Sequence, residues 1–201
     1  MRRLITFTIS MFIVISSTGG GFKSDQIAES KANVEQYKHQ VMAERIDSLE
    51  NSTLTISGLV DYLQLSTEVN LVAHLDNREY ELDTVPTENI EIILRQIILE
   101  SGWLRSGLTK RHNNLLGMKY ARSRLTLASG TAMGHASFNH WTDSVKDYIL
   151  WKQYWEDKGY DTSDYYAFLD HVGYATAQRY IPTLKSINLN REVTRIQSWQ
   201  T

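Results

Sequence analysis

Apolar residues recur at helical spacing along much of the chain from residue 54 onward. The clearest pattern lies in "PTENIEIILRQIILE", residues 86–100, where Pro86 precedes the helix and Thr87 is the expected N-cap. The apolar residues of this segment form one continuous stripe: Ile90, Ile93, Leu94, Ile97 and Ile98. The same spacing predicts further helices in "TISGLVDYLQL", "DSVKDYILWKQYW" and "SDYYAFLDHV".

One segment has a different pattern. In "SRLTLASGTAMGHASFNHW", residues 123–141, Leu125 and Leu127 alternate with polar residues, a glycine-containing turn follows, and Ala136 and Phe138 alternate again. Period-two alternation around a glycine turn is typical of a β-hairpin. The predicted fold class is therefore α+β, mostly α, with one small hairpin lobe.

The amino terminus has the composition of an export signal. Arg2 and Arg3 precede an apolar stretch, residues 4–15, and small residues follow it. This stretch is shorter than the ~20 residues of a membrane-spanning helix, and an uncleaved anchor is the alternative to a cleaved signal. We expect a signal or anchor over residues 1–18, a polar spacer with an amphipathic helix over 19–53, and the compact domain over 54–201. The expected location is periplasmic, cell-envelope or secreted.

Composition narrows the chemistry. The formal net charge of −2 provides no electrostatic attraction to nucleic acid, and the absence of cysteine excludes disulfides and thiolate metal sites. His112, His135, His140 and His171 lack metal-ligand spacing. We therefore predict no metal, no cofactor, no nucleic-acid partner and no specific protein partner. Eleven tyrosines and five tryptophans supply rings that fill cores and also stack on sugars.

Glu100 ends the strongest helical pattern. At about 100° per residue, it falls within about 90° of the middle of the apolar stripe, so its carboxyl is expected to be partly desolvated. Partial desolvation raises the pKa of a carboxyl group, which a general acid near neutral pH requires. If only the helical pattern is considered, a solvent-exposed Glu100 side chain is a simpler interpretation than a catalytic one.

Two motifs change that interpretation. They are "QIILESGW", residues 96–103, and "NNLLGMK", residues 113–119. Together with "ASFNHWTDSVKDYILWKQYW" and "FLDHVGYATAQRYIPTLKSI", they resemble the glucosaminidase family of peptidoglycan hydrolases, glycoside hydrolase family 73, also described as mannosyl-glycoprotein endo-β-N-acetylglucosaminidase-like. The likeness covers residues 54–187. It implies a lysozyme-like helical domain with a small β-hairpin beside the cleft.

The resemblance also implies roles for individual residues. Glu100 matches the catalytic acid, and Tyr174 matches a tyrosine of the cleft that matters for activity. Asn113 and Asn114 match an asparagine pair that shapes the wall below the acid, although amides also suit a turn. Trp103 is expected either to stack on a sugar or to pack over the acid. Three further aromatic residues are weaker candidates for substrate binding: Tyr120, Phe138 and Trp141.

The chain departs from the family pattern in one respect. Family members often have a second acidic residue on the hairpin lobe, but no Asp or Glu lies between Glu100 and Asp143. Asp143 or Asp147 could reach the cleft, although Asp143 also suits the N-cap of the next helix, which we expect. Otherwise the 2-acetamido oxygen of the substrate attacks the anomeric carbon, or the protein binds glycan and cleaves it poorly. The segment is instead basic, which suits either a solvated surface or the carboxylates of peptidoglycan: Arg105, Lys110, Arg111, Lys119, Arg122 and Arg124.

These patterns predict an exported hydrolase. Its expected substrate is peptidoglycan, or a related glycan that contains N-acetylglucosamine, and the bond cut is the β-1,4 bond after N-acetylglucosamine. A lytic transglycosylase with a single acid is the first alternative. A non-catalytic glycan-binding or morphogenesis protein with a degenerate site is the second.

Overall fold

The computed structural model describes residues 24–200. The predicted signal or anchor, residues 1–18, lies outside the described residues. The described chain forms eight helices and four short strands: α1 (Ser24–Glu50), α2 (Ile56–Glu68), β1 (Val72–Leu75), β2 (Arg78–Glu81), α3 (Thr87–Glu100), α4 (Gly107–His112), β3 (Gly130–Ala132), β4 (His135–Ser137), α5 (Trp141–Glu156), α6 (Tyr165–His171), α7 (Tyr180–Ser186) and α8 (Leu189–Gln200). The fold is mostly α with a small β part, as predicted.

The chain divides into two compact units, residues 1–38 and 39–201, and the boundary falls within α1. Of the first unit, only residues 24–38 are described. In the second unit, the end of α1 is tied to the domain by Arg45, which contacts Asp61 at 2.9 Å, and by Glu50, which contacts Lys146 at 2.7 Å. Among the described helices, none combines the length and apolar character that crossing a bilayer requires.

Helix α3 contacts four other helices, α2, α6, α7 and α8. The predicted stripe is its core face, since Ile93, Leu94, Ile97 and Ile98 are all buried. The expected N-cap was wrong by one residue. Pro86 holds the cap position with no side-chain cap bond, and Thr87 is the first helical residue. Proline suits this boundary because its φ of −54° is preset and it has no N–H to satisfy.

Helix α5 is buried on most of its sides, because nine of its 16 residues are buried. They include charged residues as well as rings, namely Lys146, Asp147 and Lys152 beside Trp141 and Tyr148. A helix that is enclosed on several sides shows only a weak apolar stripe in its sequence. Its position between the hairpin segment and α6 makes α5 a support for both.

The predicted hairpin is present but shorter than expected. Strands β3 and β4 pair antiparallel, with Thr131 opposite Ala136, and Met133 and Gly134 form the turn with positive φ of 54° and 79°. Leu125 and Leu127 lie in irregular chain before β3 rather than in a strand. The hairpin is joined to the loop after α4 through a hydrogen bond from the Ala136 N–H to the Met118 carbonyl (2.8 Å).

A second hairpin was not predicted. Strands β1 and β2 pair antiparallel, with Ala73 opposite Tyr80, around a turn in which Asp76 and Asn77 have φ of 49° and 58°. Two successive positive φ angles are the geometry of a tight two-residue hairpin, which Asn and Asp tolerate better than most residues. Four-residue strands with mostly polar faces carry too little alternation to be recognised in the sequence.

Candidate active site

Glu100 is the last residue of α3, and its side chain is half-buried. The chain leaves the helix through Gly102, Trp103 and Leu104, which all adopt left-handed backbone angles with φ of 56°, 57° and 59°. The Leu104 N–H donates to the buried hydroxyl of Ser101 at 2.9 Å. Left-handed non-glycine residues cost about 1–3 kcal/mol each and persist only where the surroundings impose them. The carboxyl therefore sits at a firmly held helix end.

Gly117 lies directly against the Glu100 carboxyl. A Cβ atom added at Gly117 would come 3.2 Å from Glu100 Oε2, and the backbone there has a φ of +64°. Both facts favour glycine, because it alone provides room for the carboxyl and adopts this backbone angle without strain. The glycine of the "NNLLGMK" segment thus forms one side of the Glu100 environment.

Burial raises the pKa of the Glu100 carboxyl above its usual value. Two neighbours act in the opposite direction and lower this pKa: a hydrogen bond from the Tyr180 hydroxyl and the charge of His135 on β4. Desolvation is the largest of the three effects, so the carboxyl keeps its proton to higher pH than an exposed glutamate does. A raised carboxyl pKa is the direction of shift that favours a general acid.

The asparagine pair braces the loop that contains Gly117. Asn114 is buried, and its Nδ2 donates to the carbonyls of Met118 and Ala136 (both 2.8 Å), while its Oδ1 accepts from the Met118 N–H (3.0 Å). Asn113 ends α4 with a left-handed φ of 54°, and its Nδ2 donates to the Phe138 carbonyl at 3.1 Å. The two amides therefore tie the loop to β4 and thereby set the position of Gly117.

Tyr174 also holds this loop in place. Its hydroxyl donates to the Leu116 carbonyl at 2.6 Å, one residue before Gly117. Its ring packs among three others, with centroid distances of 5.1–6.0 Å: Trp151, Tyr180 and Tyr148. Burial raises the pKa of the Tyr174 hydroxyl, and the negative charge of Glu100 raises it further. Tyr174 and Glu100 therefore lie close enough to sense each other's charge.

The elements that carry these side chains fall within a recognised family region. The family profile described as "Glucosaminidase: Mannosyl-glycoprotein endo-beta-N-acetylglucosaminidase" matches residues 84–190, more than half of the chain. The chain belongs to the glucosaminidase family. The matched region includes Glu100, Gly117 and Tyr174. The family is described by a glycosidase activity, that of an endo-β-N-acetylglucosaminidase.

A curated relative matches a smaller part of the chain. Protein bax of Escherichia coli (strain K12) is 35% identical over 68 residues, which are 34% of this chain and 24% of that protein. The chain thus covers about a quarter of the length of this relative. No solved structure gives a significant match.

Trp103 of the glucosaminidase domain lies beside the carboxyl-terminal helix. Its indole Nε1 donates to Glu192 Oε2 at 2.8 Å, and the guanidinium of Arg195 lies 5.0 Å from the centre of its ring. Both partners belong to α8. These contacts join the turn after Glu100 to α8, and sugar stacking by Trp103 stays a prediction.

The three weaker aromatic candidates differ in exposure. Tyr120 is 44% exposed and can meet a ligand from solvent. Phe138 and Trp141 are only 3% and 1% exposed. The indole of Trp141 donates to the Ser52 carbonyl at 3.0 Å, and its ring meets Tyr62 edge-on. Neither buried ring presents a face on which a sugar could stack, and their placement is that of core residues.

The two aspartates that follow the hairpin both have structural partners. His140, not Asp143, is the N-cap of α5, and Asp143 completes a capping box by accepting from the His140 N–H at 3.0 Å. Asp147 is fully buried; it accepts from Arg124 through both oxygens (3.1 and 2.7 Å) and from the Leu127 N–H (2.9 Å). Arg124 is therefore part of a buried ion pair, unlike the exposed basic residues near it.

Sequence reasoning missed four residues of this environment: Gln96, Gly117, His135 and Tyr180. Gln96 had a detectable signal, because it is the first residue of the "QIILESGW" motif and lies one helical turn before Glu100. Tyr180 and His135 had no such signal, since they approach Glu100 from elements far away in the sequence. Within residues 24–200, no group of three or more His, Asp or Glu side chains is arranged to hold a metal ion.

Proposed function

We propose that this protein is an exported hydrolase that cleaves the β-1,4 glycosidic bond after N-acetylglucosamine in cell-wall peptidoglycan, or in a related glycan, with Glu100 as general acid. One observation carries the proposal: a half-buried carboxyl of raised pKa ends α3 and packs against Gly117, a position that suits glycine alone. Family membership supports the reaction class. A protonated carboxyl can give its proton to the glycosidic oxygen as the bond to the anomeric carbon breaks.

We propose that the nucleophile that attacks the anomeric carbon comes from the substrate and not from a second protein carboxylate. Asp143 is engaged in the capping box and Asp147 in the pair with Arg124, so neither is available as a second acid. The 2-acetamido oxygen can instead attack the anomeric carbon as the leaving oxygen takes the proton from Glu100. Water then opens the cyclic intermediate and returns a proton to the Glu100 carboxylate, which restores the enzyme.

Tyr174 is proposed to assist the charged stage of this reaction. Its proton is directed to the Leu116 carbonyl, so only the lone pairs of its oxygen remain to face other groups. An oxygen lone pair stabilises the positive charge that develops at the anomeric carbon. Trp103, Tyr120, Asn113 and Asn114 remain the proposed binding residues, the asparagines through the loop that they brace.

The charge of the hairpin side is suited to peptidoglycan. Four basic residues of α4 and of the chain between α4 and β3 are exposed: Lys110, Arg111, Lys119 and Arg122. Peptidoglycan has lactyl-peptide carboxylates on every second sugar, which a basic surface attracts at low salt. This supports peptidoglycan over an uncharged chitin-like glycan.

The test is digestion of purified peptidoglycan followed by mass spectrometry. New reducing-end N-acetylglucosamine is the expected product, and Glu100→Gln should remove it, because an amide of similar shape has no proton to donate; general acid catalysis contributes ~10²–10⁴ in rate. Anhydro-muramyl ends would instead identify a lytic transglycosylase, which the single acid also suits. Binding without products would identify a non-catalytic glycan-binding protein. Activity of Glu100→Gln near that of the wild type would remove Glu100 from the mechanism.

A further inference from the structure

We propose that Tyr180 is a positioning residue for Glu100. Its hydroxyl donates to the Glu100 carboxyl and holds it in one orientation, and a buried chain of side chains aims that hydroxyl: Tyr165, Tyr148 and Gln96.

Each link of the chain joins two helices. The hydroxyls of Tyr165 on α6 and Tyr148 on α5 are 2.8 Å apart. The Tyr148 hydroxyl lies 2.6 Å from Oε1 of Gln96 on α3, and Gln96 Nε2 lies 3.4 Å from the hydroxyl of Tyr180 on α7. Glu100 follows Gln96 by one turn on the same helix, and the Tyr180 hydroxyl lies close enough to its carboxyl for each group to shift the pKa of the other. The chain thus connects four helices and ends at the carboxyl.

The chemistry of the amide sets the direction of every proton. Gln96 Oε1 can only accept, so Tyr148 donates to it, and a separation of 2.6 Å is typical of an O–H donor. Gln96 Nε2 can only donate, so the oxygen of Tyr180 accepts from it. The proton of Tyr180 then remains for the Glu100 carboxyl. In such a series, each bond strengthens the next by polarising it.

Burial keeps water from competing for these bonds. Gln96 is fully buried and Tyr148 and Tyr165 nearly so, while Tyr180 is 9% exposed. A buried polar group without a partner costs about 1–3 kcal/mol, so the four side chains stabilise one mutual arrangement. A glutamine inside the core face of α3 is otherwise hard to explain, because an apolar residue would pack there without needing partners.

The hydrogen bond also has a predictable electrostatic effect. A donor to a carboxylate favours the ionised form, so Tyr180 lowers the pKa of Glu100 while burial raises it. The other titratable groups that Glu100 senses are His135 on β4, whose charge lowers the pKa, and Tyr174 after α6. The loop over residues 113–118 contributes no titratable side chain. Loss of the Tyr180 hydroxyl should therefore raise the pKa of Glu100.

The experiment reads this pKa without substrate. The full chain, labelled with ¹³C at glutamate carboxyl carbons, is titrated by NMR, and Glu100→Gln identifies the resonance of Glu100. In Tyr180→Phe we expect the Glu100 midpoint to rise by about one pH unit, because a hydrogen bond to a charged group contributes about 1.5–3 kcal/mol and one pKa unit corresponds to about 1.4 kcal/mol. An unchanged midpoint in folded Tyr180→Phe overturns the proposal.

Tyr62→Phe is the matched control. Tyr62 is also buried, and its hydroxyl also donates to a carboxylate, Glu50 Oε1, at 2.9 Å. This variant should leave the Glu100 midpoint unchanged, and an equal rise in it would show a general effect of removing a buried hydroxyl. If Tyr180→Phe does not fold, 3-fluorotyrosine at position 180 replaces it. Fluorine makes the phenol a stronger donor, so the Glu100 midpoint should fall, and no fall would contradict the proposal.

The catalytic consequence rests on the proposed function. A general acid is active while protonated, so the alkaline limb of kcat/KM on peptidoglycan should move upward in Tyr180→Phe by the same amount as the NMR midpoint. If the wild type cleaves no glycan, the proposed function fails, and the titration still decides the role of Tyr180. If the NMR midpoint moves and the alkaline limb does not, Glu100 is not the acid that this limb reports.

Discussion

The environment of Glu100 depends on single atoms at the residue scale. The carboxyl meets the bare Cα of Gly117 on one side and the hydroxyl of Tyr180 on another, while burial removes most of its water. A buried acid needs a small neighbour, such as Gly117, that leaves room for the carboxyl, and a polar neighbour, such as Tyr180, that orients it. Substitutions at these positions should therefore separate effects on catalysis from effects on stability.

Gly117→Ala should lower both activity and stability. The added methyl would press on Glu100 Oε2, and the left-handed backbone would cost about 1–3 kcal/mol. Gly159→Ala is the control, because Gly159 also has a positive φ but no atom within 4 Å of its added Cβ. Both variants should lose stability in thermal melts, and only Gly117→Ala should lose kcat/KM. Equal kinetic losses would mean that contact with Glu100 is irrelevant.

Glu100→Gln should stabilise the protein at neutral pH. The pKa of Glu100 is raised in the folded state, so ionisation opposes folding once the pH exceeds the unfolded pKa, and the whole penalty is present above the folded pKa. Melting temperatures of the variant and the wild type should therefore converge below about pH 4 and separate as the pH rises. Glu91→Gln, an exposed carboxylate on the same helix, should show no such gain.

At the element scale, α5 and the hairpin segment are joined by one buried ion pair. Asp147 on α5 binds the guanidinium of Arg124 and the N–H of Leu127, in the chain that leads into β3. The loop over residues 113–118 is fixed in a similar way, since the Leu115 N–H donates to Ser144 on α5 at 3.0 Å. Irregular chain near the candidate site is thus held by side chains of a buried helix.

Asp147→Asn should destabilise the domain rather than inactivate the folded enzyme. Removing one partner of a buried ion pair leaves the other uncompensated and costs about 3–5 kcal/mol. Denaturant unfolding should show this loss, while Asp61→Asn, at a more exposed pair with Arg45, should lose ~1 kcal/mol or less. If the Asp147→Asn variant lost activity but kept the unfolding free energy of the wild type, Asp147 would instead have a catalytic role.

At the scale of the whole molecule, residues from five separated elements contribute to the environment of one carboxyl, by contact or by charge. Glu100 comes from α3, Gly117 from the loop after α4, His135 from β4, Tyr174 from the turn after α6 and Tyr180 from α7. None of them supplies a second carboxylate. The proposed reaction therefore depends on the substrate's own acetamide.

Glycan without the acetamide should be a poor substrate. De-N-acetylated peptidoglycan has a free amine in place of the acetamido oxygen, so the intramolecular attack is lost and the rate should fall at least tenfold, a modest share of the advantage of an intramolecular nucleophile. The measurement compares initial rates on native and chemically de-N-acetylated material. Re-acetylation of the same sample should restore the rate. Equal rates on the two materials would exclude participation of the acetamide.

Local patterns in the sequence were sufficient for the helices and for the candidate acid. The apolar stripe of α3, the placement of Glu100 at its end and the hairpin before α5 all follow from spacing within 20 residues, where periodicity is reliable. Four ordered segments, taken together, indicated the family. Short-range detail was less accurate: Pro86 and His140 are the caps in place of Thr87 and Asp143, because capping depends on the backbone angle as well as the side chain.

Only the tertiary structure decided what surrounds the acid. Tyr180 follows Glu100 by 80 residues and Gln96 precedes it by one turn, and nothing in either local pattern indicates that they share a hydrogen bond. Phe138 and Trp141 are likewise buried in the core, and Asp147 is engaged in an ion pair with Arg124. The sequence alone left all three residues as candidates for contact with a substrate. Spacing determines which residues share a face of one element. Which faces meet depends on how all the elements pack, and that information is spread over the whole chain.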